Sequence, residues 1–373
     1  MYDDALVVDG VAHFYSEHPD NHRDKLRGPE MGRLSYEGYH KGFAFAGEDK
    51  WVMDRERFFG HPDPNLLADC IFAESQTDMA IYHSLPLYGL FNDGGSPMWV
   101  AKEVQKMYPG RMMIYGGLSP FMDGALEEID RMVEEDGIIG VRFYPQDIID
   151  GEIRNWRLDD EQFSFPMIER ARERGIRSIA VHKSQPLGAV HQEPFRVEDI
   201  DGAAAAFPDM EFQVVHGGFA FLEESALQYA CFPNVTINFE NTSAFLGAAP
   251  KKFAWILASF IAAGGADRLI WATGATFFHP RPYLQAFMDL EFPAEWTEGW
   301  GIPPLTDEIK KKIIGQNVVD LLGIDVEEHK QQYKNDRFEQ MTELQEPWTA
   351  KPWDGRQPDF EEQSIFSGAG AAR

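Results

Sequence analysis

The sequence predicts a (β/α)8 barrel of the α/β class, with an insertion after its first strand and an arm beyond its last helix. Short apolar runs rich in β-branched residues alternate with longer segments of helical period, the pattern of successive βα units around a parallel sheet. Eight such units can be counted in the 373 residues. Since α/β barrels commonly form single domains of about 250 residues or more, one barrel with additions is expected.

The eight candidate strands are short and end in Gly, Ser, Pro or Asn. They are ALVVDG from Ala5, DMAIYHS from Asp78, RMMIYGG from Arg111, IIGVRFYP from Ile138, IRSIAVHKS from Ile176, EFQVVHGG from Glu211, NVTINFEN from Asn234 and DRLIWATG from Asp267.

Helical segments are predicted between these strands. In ALEEIDRMVEE, for example, Leu126, Ile129 and Val133 recur at helical spacing while carboxylates fill the other face. The last helix ends at Gly323, a residue typical of helix C-termini. The barrel is therefore expected to end near residue 324. The predicted helices cover residues 65–75, 97–108, 124–135, 161–174, 198–206, 222–231, 251–263 and 307–322.

Two stretches exceed a minimal barrel. Residues 14–64, rich in Gly, His, aromatic and charged residues, follow the first strand, at the barrel end where βα loops form active sites, so they are a candidate lid. Residues 325–373 continue as charged helical sequence through Leu344 and then as EPWTAKPWDGRQPDF. We interpret them as an arm. Exposed aromatics such as Trp348 and Trp353 are disfavoured, so the arm is expected to lie on a partner chain or, as the weaker alternative, on its own barrel.

Composition narrows the class of partner and the compartment. A formal charge of −27 argues against surfaces that neutralise phosphates, so we expect neither nucleic acid nor membrane as a partner. Two cysteines give no disulfide framework. The start, MYDDALVVDG, lacks a basic segment followed by an apolar run, and the most apolar stretch, FAWILASFIAA, is shorter than the ~20 residues that span a bilayer. A cytoplasmic protein is expected.

Histidines stand at three of the strand ends, where barrel enzymes place their catalytic groups. His13 follows the first strand, His182 ends the fifth, and His216 ends the sixth. A single histidine at such a position is more often a hydrogen-bonded structural residue. Three imidazoles converging from different strands instead predict a site for zinc or another divalent metal. His216 is also a candidate general base, because Gly217 and Gly218 allow close backbone approach.

Several of these segments together resemble a known family. They are the run DGVAHFY, the strand ends AVHKS and VVHGG, the turn WATGATFFHP and the helix IKKKIIGQNVVDLLGI. In order and placement they are similar to the amidohydrolase-related family that includes aminocarboxymuconate semialdehyde decarboxylase and the resorcylate decarboxylases. The resemblance covers roughly residues 5–324. It implies a metal-dependent barrel of amidohydrolase type.

The resemblance also implies where the metal ligands stand. Family members usually offer His-x-His or Glu-x-His after the first strand, a His after the fifth, and an Asp in a Gly-Ser/Thr-Asp turn after the eighth. In this chain those positions hold Val11 with His13, then His182, then Thr276. Two of the four ligands are therefore lost. His216 matches the sixth-strand histidine of the family, which is catalytic or, in two-metal relatives, a ligand, so a metal here would rely on the three histidines.

Other side chains are candidates to complete the shell. Glu17 and His18 lie in the insertion, and Glu240 follows the seventh strand. Residues of this kind are more often solvated loop groups or ordinary hydrogen-bonding partners. We therefore expect a water or a loop residue as the remaining ligand, without choosing among these three.

The fourth strand supplies candidates for substrate binding. Arg142 and Tyr144 leave that strand, and the planar guanidinium is suited to bidentate recognition of a carboxylate, although arginines at strand ends are as often paired structurally. Lys183 is expected to point away from His182. Two further histidines, His83 and His279, are possible pocket residues.

Two functions fit these observations. The first is a subunit with a depleted metal site, the partner of an intact homologous amidohydrolase-type subunit in a hetero-oligomeric enzyme. A two-chain, metal-dependent 2-aminoisobutyrate hydroxylase is organised in this way, and the sequence resembles its less complete subunit, which implies a monooxygenase subunit. The alternative is a stand-alone zinc-dependent decarboxylase or hydrolase of a small carboxylated substrate. A metal-free ligand-binding barrel is the third, weaker hypothesis.

Overall fold

Eight parallel strands form one sheet in the order expected of a (β/α)8 barrel. The computed structural model of the protein describes residues 5–149, 151–186 and 190–348. Each of the eight predicted strands coincides with one strand of the sheet. A separate antiparallel hairpin is formed by β5 and β6. In chain order the strands are β1 Val8–Ala12, β2 Met79–His83, β3 Met112–Leu118, β4 Gly140–Phe143, β5 Gln146–Ile149, β6 Glu152–Asn155, β7 Ser178–His182, β8 Glu211–Val215, β9 Val235–Asn238 and β10 Leu269–Ile270.

Backbone hydrogen bonds close this sheet between its first and last strands. The amide of Gly10 donates to the carbonyl of Trp271 at 2.9 Å, and the amide of Gly274 donates to the carbonyl of Val11 at 2.8 Å. Glycine is required at position 10, because a Cβ there would lie 2.5 Å from Ile270 Cγ2. The predicted barrel fold is therefore confirmed.

The α-helices lie between the strands and beyond them. All eight predicted helices are present, with ends within three residues of the predicted ones. No helix in the described ranges is both long enough and apolar enough to cross a bilayer. The helices are α1 Arg27–Arg33, α2 Arg55–Phe58, α3 Pro64–Ala68, α4 Met98–Met107, α5 Ala125–Asp136, α6 Ser164–Glu173, α7 Asp199–Ala206, α8 Leu222–Cys231, α9 Phe245–Ala248, α10 Pro250–Gly264, α11 Pro280–Met288, α12 Asp307–Lys311, α13 Asn317–Leu322 and α14 Val326–Tyr333.

Shorter turns extend or join several of these helices. The π-helical turns are Leu34–His40, Asp69–Ala73, Glu295–Gly299 and Lys312–Gln316. The 3-10 turns are Pro19–Asn21, Phe45–Gly47, Asp49–Trp51, Glu193–Phe195 and Thr242–Ala244. One π-helical turn continues α3 and another joins α12 to α13, so the first and last predicted helices are each continuous in space.

Helix α5 shows how the sequence sets both ends of an element. Gly124 precedes it with a φ of 72° and Gly137 follows it with a φ of 62°. Both values lie in the left-handed region that glycine adopts without steric cost. Ile129 and Met132 are buried while Glu127, Glu134 and Glu135 are exposed, as the helical period of the sequence predicts.

The insertion between β1 and α3 packs over the loop that follows β10. His40 donates from Nδ1 to the carbonyl of Phe277 at 2.7 Å and accepts at Nε2 from the amide of Met53 at 2.6 Å. The ring of Trp51 lies 5.0 Å from that of His279. The insertion is therefore tied to the eighth strand unit, and its role as a lid stays a prediction.

The arm begins with α14, which ends well before the predicted Leu344. The helix ends at Tyr333, and beyond it Oδ1 of Asp336 accepts from the amides of Phe338 at 2.9 Å and Glu339 at 3.0 Å and so turns the chain. The same carboxyl group binds Arg111 of the barrel, with 2.7 Å between Oδ2 and Nε.

The last described residue, Trp348, packs on its own barrel. Its side chain is 4% exposed, and its amide donates to Glu74 Oε2 at 2.9 Å. The expected contact of this tryptophan with a partner chain is thus replaced by an intramolecular one. Trp353 lies outside the described residues, and contact of the remaining arm with a partner stays a prediction.

Candidate metal centre

The carboxyl ends of the barrel strands bring the three predicted histidines together. His13 follows β1, His182 ends β7 and His216 follows β8. All three side chains are buried, none more than 3% exposed. Because parallel strands of a barrel end at the same face, this is the face at which barrel enzymes carry their active sites.

Backbone carbonyls fix the proton on each imidazole. A carbonyl oxygen only accepts, so the ring nitrogen that faces it must carry the hydrogen. His13 donates from Nδ1 to the carbonyl of His83 at 2.7 Å. His182 donates from Nε2 to Gln185 at 2.6 Å, and His216 donates from Nδ1 to Glu240 at 2.9 Å. In the neutral rings the opposite nitrogen then carries a lone pair.

Those lone pairs face each other and a carboxylate. Nδ1 of His182 and Nε2 of His216 are 3.0 Å apart, although both are acceptors. Nε2 of His13 lies 3.1 Å from Glu240 Oε1, and Nε2 of His216 lies 3.7 Å from Glu240 Oε2. At each of these contacts a cation, either a second proton on an imidazole or a metal ion, is needed between the two acceptors.

Glu240 is the carboxylate of this cluster and is 1% exposed. Burial alone would raise its pKa, but His216, His13 and Arg142 facing it lower that pKa well below the usual range. The side chain is therefore ionised at neutral pH. It stands where the sequence placed one of three substitute ligands, and it is the one that the fold brings to the histidines.

Burial opposes a second proton on His182 and His216. It lowers the pKa of His216 to about 4, against the opposing effect of Glu240. Burial, together with His216 and Arg142, lowers the pKa of His182 well below its usual value. Neutral imidazole is the form that binds metals.

Arg142 lies fully buried inside the same cluster. Its Nη2 is 3.4 Å from both His182 Nδ1 and Glu240 Oε2, and its Nη1 is 3.4 Å from His83 Nδ1. The arginine predicted for substrate binding is thus held among the predicted metal ligands. His83, a possible pocket residue, also belongs to the site, and its Nε2 has no hydrogen-bond partner among the described residues.

The donor types suit a divalent metal, but the three histidines and Glu240 do not bring three ligand atoms within 4.8 Å of one another. Metal-binding histidines commonly donate their second ring nitrogen to a carbonyl or carboxylate, as all three do here. Three imidazole nitrogens and one carboxylate match the ligand number of a tetrahedral site. The four donors lie as two close pairs, His13 with Glu240 and His182 with His216, and the guanidinium of Arg142 stands beside both.

The two positions that lack a ligand are built into the barrel wall. Val11 is fully buried, and its carbonyl accepts one of the closing hydrogen bonds. Thr276 is 4% exposed, and its amide donates to the carbonyl of His13 at 2.6 Å. The backbone there keeps the path that joins the two ends of the barrel, while neither side chain offers a metal the ligand that the family resemblance implies.

Aromatic side chains wall the cluster. The ring of Tyr144 lies 4.2 Å from that of His182 and 5.9 Å from that of Phe195. The ring of Tyr15 lies 5.3 Å from that of His13. Burial raises the pKa of both tyrosines above the usual range, so they keep their protons as donors.

Backbone strain is concentrated around the site. Three residues other than glycine adopt a positive φ next to it, with 62° at Ser184, 64° at His216 and 57° at Asn241. Such conformations cost free energy and collect at functional sites. The His-Gly-Gly sequence after β8 signals the turn at His216, but no local pattern predicts the other two. Asn241 also donates to Gln185 at 3.0 Å, which links the turns after β7 and β9.

Asp9 is a buried acid that the sequence analysis did not single out. Its Oδ1 accepts from the amide of Thr273 at 2.9 Å, and its Oδ2 accepts from the hydroxyl of the same residue. Burial raises its pKa to about 7, more than these hydrogen bonds lower it. Asp9 precedes Val11 and His13 at alternate positions, and this period of two was the available signal that it points into the barrel.

Other predicted candidates lie in different surroundings. Lys183 binds Asp199, with 2.7 Å between Nζ and Oδ2, and so points away from the histidines as expected. Glu17 faces His22, with 3.6 Å between Oε2 and Nε2. His18 stacks on an imidazole of the insertion at a ring distance of 3.7 Å.

A second group of potential ligands contains His279. Ligand atoms of Cys70, Glu74 and His279 lie within 4.8 Å of one another and are buried. Nδ1 of His279 accepts from the amide of Arg281, so its Nε2 carries the proton and donates to Glu74 at 2.9 Å. No lone pair of the imidazole is free in this arrangement. We interpret the group as a hydrogen-bonded core cluster.

A cleft of about 580 Å³ opens at the same face of the barrel as the three histidines. Its walls come from the loops after β1, β2, β3 and β4. They include Arg23, Tyr88, Ser119, Met122, Asp147 and Gly151. Its volume lies in the range of about 300–1,000 Å³ that is common for ligand sites, but none of the three histidines, Arg142 or Tyr144 lines it.

The comparison with protein families agrees with the fold. A family model described as amidohydrolase matches residues 92–324. That range holds more than half of the chain, including β3 through α13. The chain therefore belongs to the amidohydrolase family. No curated protein is significantly similar to it in sequence.

Solved structures share the fold at low identity. An uncharacterised TIM-barrel protein from Bordetella bronchiseptica is 17% identical, with a TM-score of 0.56, over 85% of this chain and 98% of that one. A 5-carboxyvanillate decarboxylase from Novosphingobium aromaticivorans, solved with bound manganese, is 14% identical, with a TM-score of 0.54, over 86% and 98%. A 2,6-dihydroxybenzoate decarboxylase from Rhizobium is 15% identical, with a TM-score of 0.52, over 86% and 99%. At these identities the similarity shows a shared fold and nothing more.

Proposed function

We propose that the chain is a metal-dependent decarboxylase or hydrolase that acts on a small carboxylated substrate. One observation carries the proposal. Backbone carbonyls fix the protons of His13, His182 and His216 so that their other ring nitrogens face one another and the ionised Glu240. A metal ion between these acceptors would satisfy buried polar atoms that otherwise cost stability.

The three histidines and Glu240 would hold the metal. A bound divalent ion supplies a Lewis acid that polarises a substrate oxygen or lowers the pKa of a bound water. Imidazole ligands favour zinc, which the sequence suggested, and a carboxylate ligand also admits manganese. The manganese of the decarboxylases that share the fold supports a divalent metal without choosing between these two.

Arg142 and Tyr144 would bind the substrate. The guanidinium offers parallel N–H groups that match a carboxylate. Tyr144 presents a buried ring against His182 and keeps its hydroxyl proton. A flat or compact acid would lie between them. Because every one of these side chains is buried, the site keeps bulk water from the reacting group.

His216 can move a proton at Nε2. Its Nδ1 is committed to the Glu240 carbonyl, and its pKa of about 4, lowered by burial, leaves Nε2 unprotonated at neutral pH. One nitrogen has one lone pair, so Nε2 either binds the metal or accepts a proton. Two other bases lie within 4 Å of this nitrogen, Nδ1 of His182 at 3.0 Å and Oε2 of Glu240 at 3.7 Å.

The experiment measures metal and product together. The purified full chain is assayed for bound zinc and manganese by mass spectrometry and for CO2 release or hydrolysis with a panel of small hydroxybenzoates and amino acids. We expect about one metal per chain, and loss of both metal and turnover in His182→Ala. His191→Ala, a histidine on the surface, is the matched control. A metal-free wild-type chain, or a His182→Ala variant with full metal, would overturn the proposal.

The loss of two ligands supports a second candidate. Val11 and Thr276 supply no donor to the metal, so the chain also fits a partner subunit that completes an intact homologous subunit, including a monooxygenase complex. Co-expression with homologous barrels followed by size-exclusion chromatography tests this candidate. A stable mixed oligomer whose turnover exceeds that of the chain alone supports it, and a stoichiometrically metallated, active homo-oligomer contradicts it.

A further inference from the structure

Arg142 contacts two of the side chains that would bind a metal. Its guanidinium lies 3.4 Å from the lone-pair nitrogen of His182 and 3.4 Å from Glu240 Oε2. The Nε atom of Arg142 has no hydrogen-bond partner among the described residues, although the side chain is fully buried. The arginine is therefore held inside the site with one donor unsatisfied.

The metal and Arg142 would compete for the single lone pair on Nδ1 of His182. Nδ1 of a neutral imidazole has one lone pair, which either accepts from an N–H or binds a metal at about 2.0–2.1 Å. The two interactions cannot coexist on the same nitrogen. A metal that uses His182 Nδ1 must therefore displace the guanidinium from it.

The metal and Arg142 would also compete for the negative charge of Glu240. With Arg142 alone, one cation and one anion are buried together and neutralise each other. With a divalent ion as well, three positive charges would face the single negative charge of Glu240. Burying such an excess is unfavourable, so the site then needs another anion beside Arg142.

The contacts of Arg142 are long enough to be exchanged. Charge-assisted hydrogen bonds between nitrogen and oxygen usually measure about 2.7–2.9 Å. The guanidinium instead makes three contacts of 3.4 Å, to His83, His182 and Glu240. Each is weak by itself, and together they satisfy the arginine only in part.

We propose that Arg142 is an exchangeable internal cation: the metal displaces its guanidinium from His182 and Glu240, and the released guanidinium binds the carboxylate of the substrate. This inference rests on the metal site of the proposed function and adds a coupling between the binding of the metal and the binding of the substrate. Metal and carboxylate bind cooperatively. The metal frees the guanidinium to bind the carboxylate, and the carboxylate neutralises the guanidinium beside the metal. By thermodynamic reciprocity, each raises the affinity of the other by the same factor.

The test measures metal affinity rather than turnover. Mn²⁺ is titrated calorimetrically into the metal-free full chain, with and without saturating benzoate. We expect benzoate to tighten Mn²⁺ binding by at least about fivefold, the lower end of common couplings between sites. In Arg142→Met, Mn²⁺ should bind more tightly without benzoate, and the benzoate effect should disappear. Arg172→Met, which removes an arginine from exposed ion pairs, is the matched control and should behave as the wild type.

The outcomes separate the two proposals. Absence of Mn²⁺ and Zn²⁺ binding in both the wild type and Arg142→Met overturns the metal site and the exchange with it. Equal Mn²⁺ affinity with and without benzoate in a metal-binding wild type overturns the exchange alone. Metal binding by Arg142→Met but not by the wild type also overturns it, because the guanidinium is then a permanent substitute for the metal. If Arg142→Met does not fold, the benzoate effect in the wild type decides the question.

Discussion

Nδ1 of His182 and Nε2 of His216 lie 3.0 Å apart, and each is the nitrogen that a backbone carbonyl leaves without a proton. Two lone pairs at this distance repel each other unless a cation shares them. The guanidinium of Arg142 is a cation that relieves part of this repulsion through its 3.4 Å contact with His182. The pair therefore links the two proposals, since the lone pair of His182 faces the arginine in one state and would bind a metal in the other.

Replacing Glu240 by Gln should destabilise the protein and weaken metal binding. The substitution leaves the buried guanidinium of Arg142 without its anion, a loss that costs about 3–5 kcal/mol in buried pairs. It also removes the negative charge from the donor set. Urea denaturation measures the first effect and Zn²⁺ titration the second.

Two further variants give the controls for this prediction. Glu211→Gln, at a half-buried glutamate of β8, should have a much smaller effect on both measurements. The double variant Arg142→Met with Glu240→Gln should recover part of the lost stability, because neither charge is then left unpaired. A Glu240→Gln variant as stable as the wild type would show that the pair is not buried in this way.

Replacing Thr276 by Asp should strengthen metal binding. Position 276 follows β10, and its amide donates to the carbonyl of His13, so a carboxylate there would stand near one of the ligands. We expect Mn²⁺ to bind at least about tenfold more tightly, equivalent to roughly 1.4 kcal/mol. Thr276→Asn has a similar shape without the charge and is the control. Equal affinities of the two variants would mean that the position no longer reaches the metal.

The fold could be predicted because it is recorded in local patterns. Each strand is a short apolar run and each helix has its own period, as in α5 between Gly124 and Gly137. The strand-end rule then placed His13, His182 and His216 at one face. These inferences need only the order of the segments and the spacing of apolar residues within them, both of which can be read from the sequence.

The rest of the site depends on contacts between distant segments. Glu240 lies 227 residues from His13, and its place after the seventh strand made it one of three candidate ligands without deciding among them. The tautomers are set by backbone carbonyls, which carry no residue signature. The same reason explains Trp348, whose partner Glu74 is 274 residues away.

Asp9 should make stability depend on pH. Its pKa in the folded state is raised by burial to about 7, above the ordinary value of 3.8. The stability linked to this proton is fully present below pH 3.8 and is lost as the pH rises through about 7, because the unfolded chain releases the proton first.

Asp9→Asn should remove that dependence. Relative to the wild type, its free energy of unfolding should improve by roughly 1.4 kcal/mol per pH unit across the window between the two pKa values. Denaturation by urea at pH 5 and pH 8 measures the difference. Asp160→Asn, on the exposed turn before α6, is the control. A constant difference between Asp9→Asn and the wild type at both pH values would contradict the raised pKa.

Trp348 should contribute to the stability of the barrel and not only to that of the arm. Its ring lies 5.0 Å from that of His279 and 5.8 Å from that of His40, and its amide donates to Glu74. Truncating a buried tryptophan to alanine typically costs about 3–5 kcal/mol. We expect Trp348→Ala to lower the midpoint of urea denaturation accordingly. Trp99→Ala, at a tryptophan that is 43% exposed, should change it little. Equal midpoints for the two variants would mean that the arm does not rest on the barrel in solution.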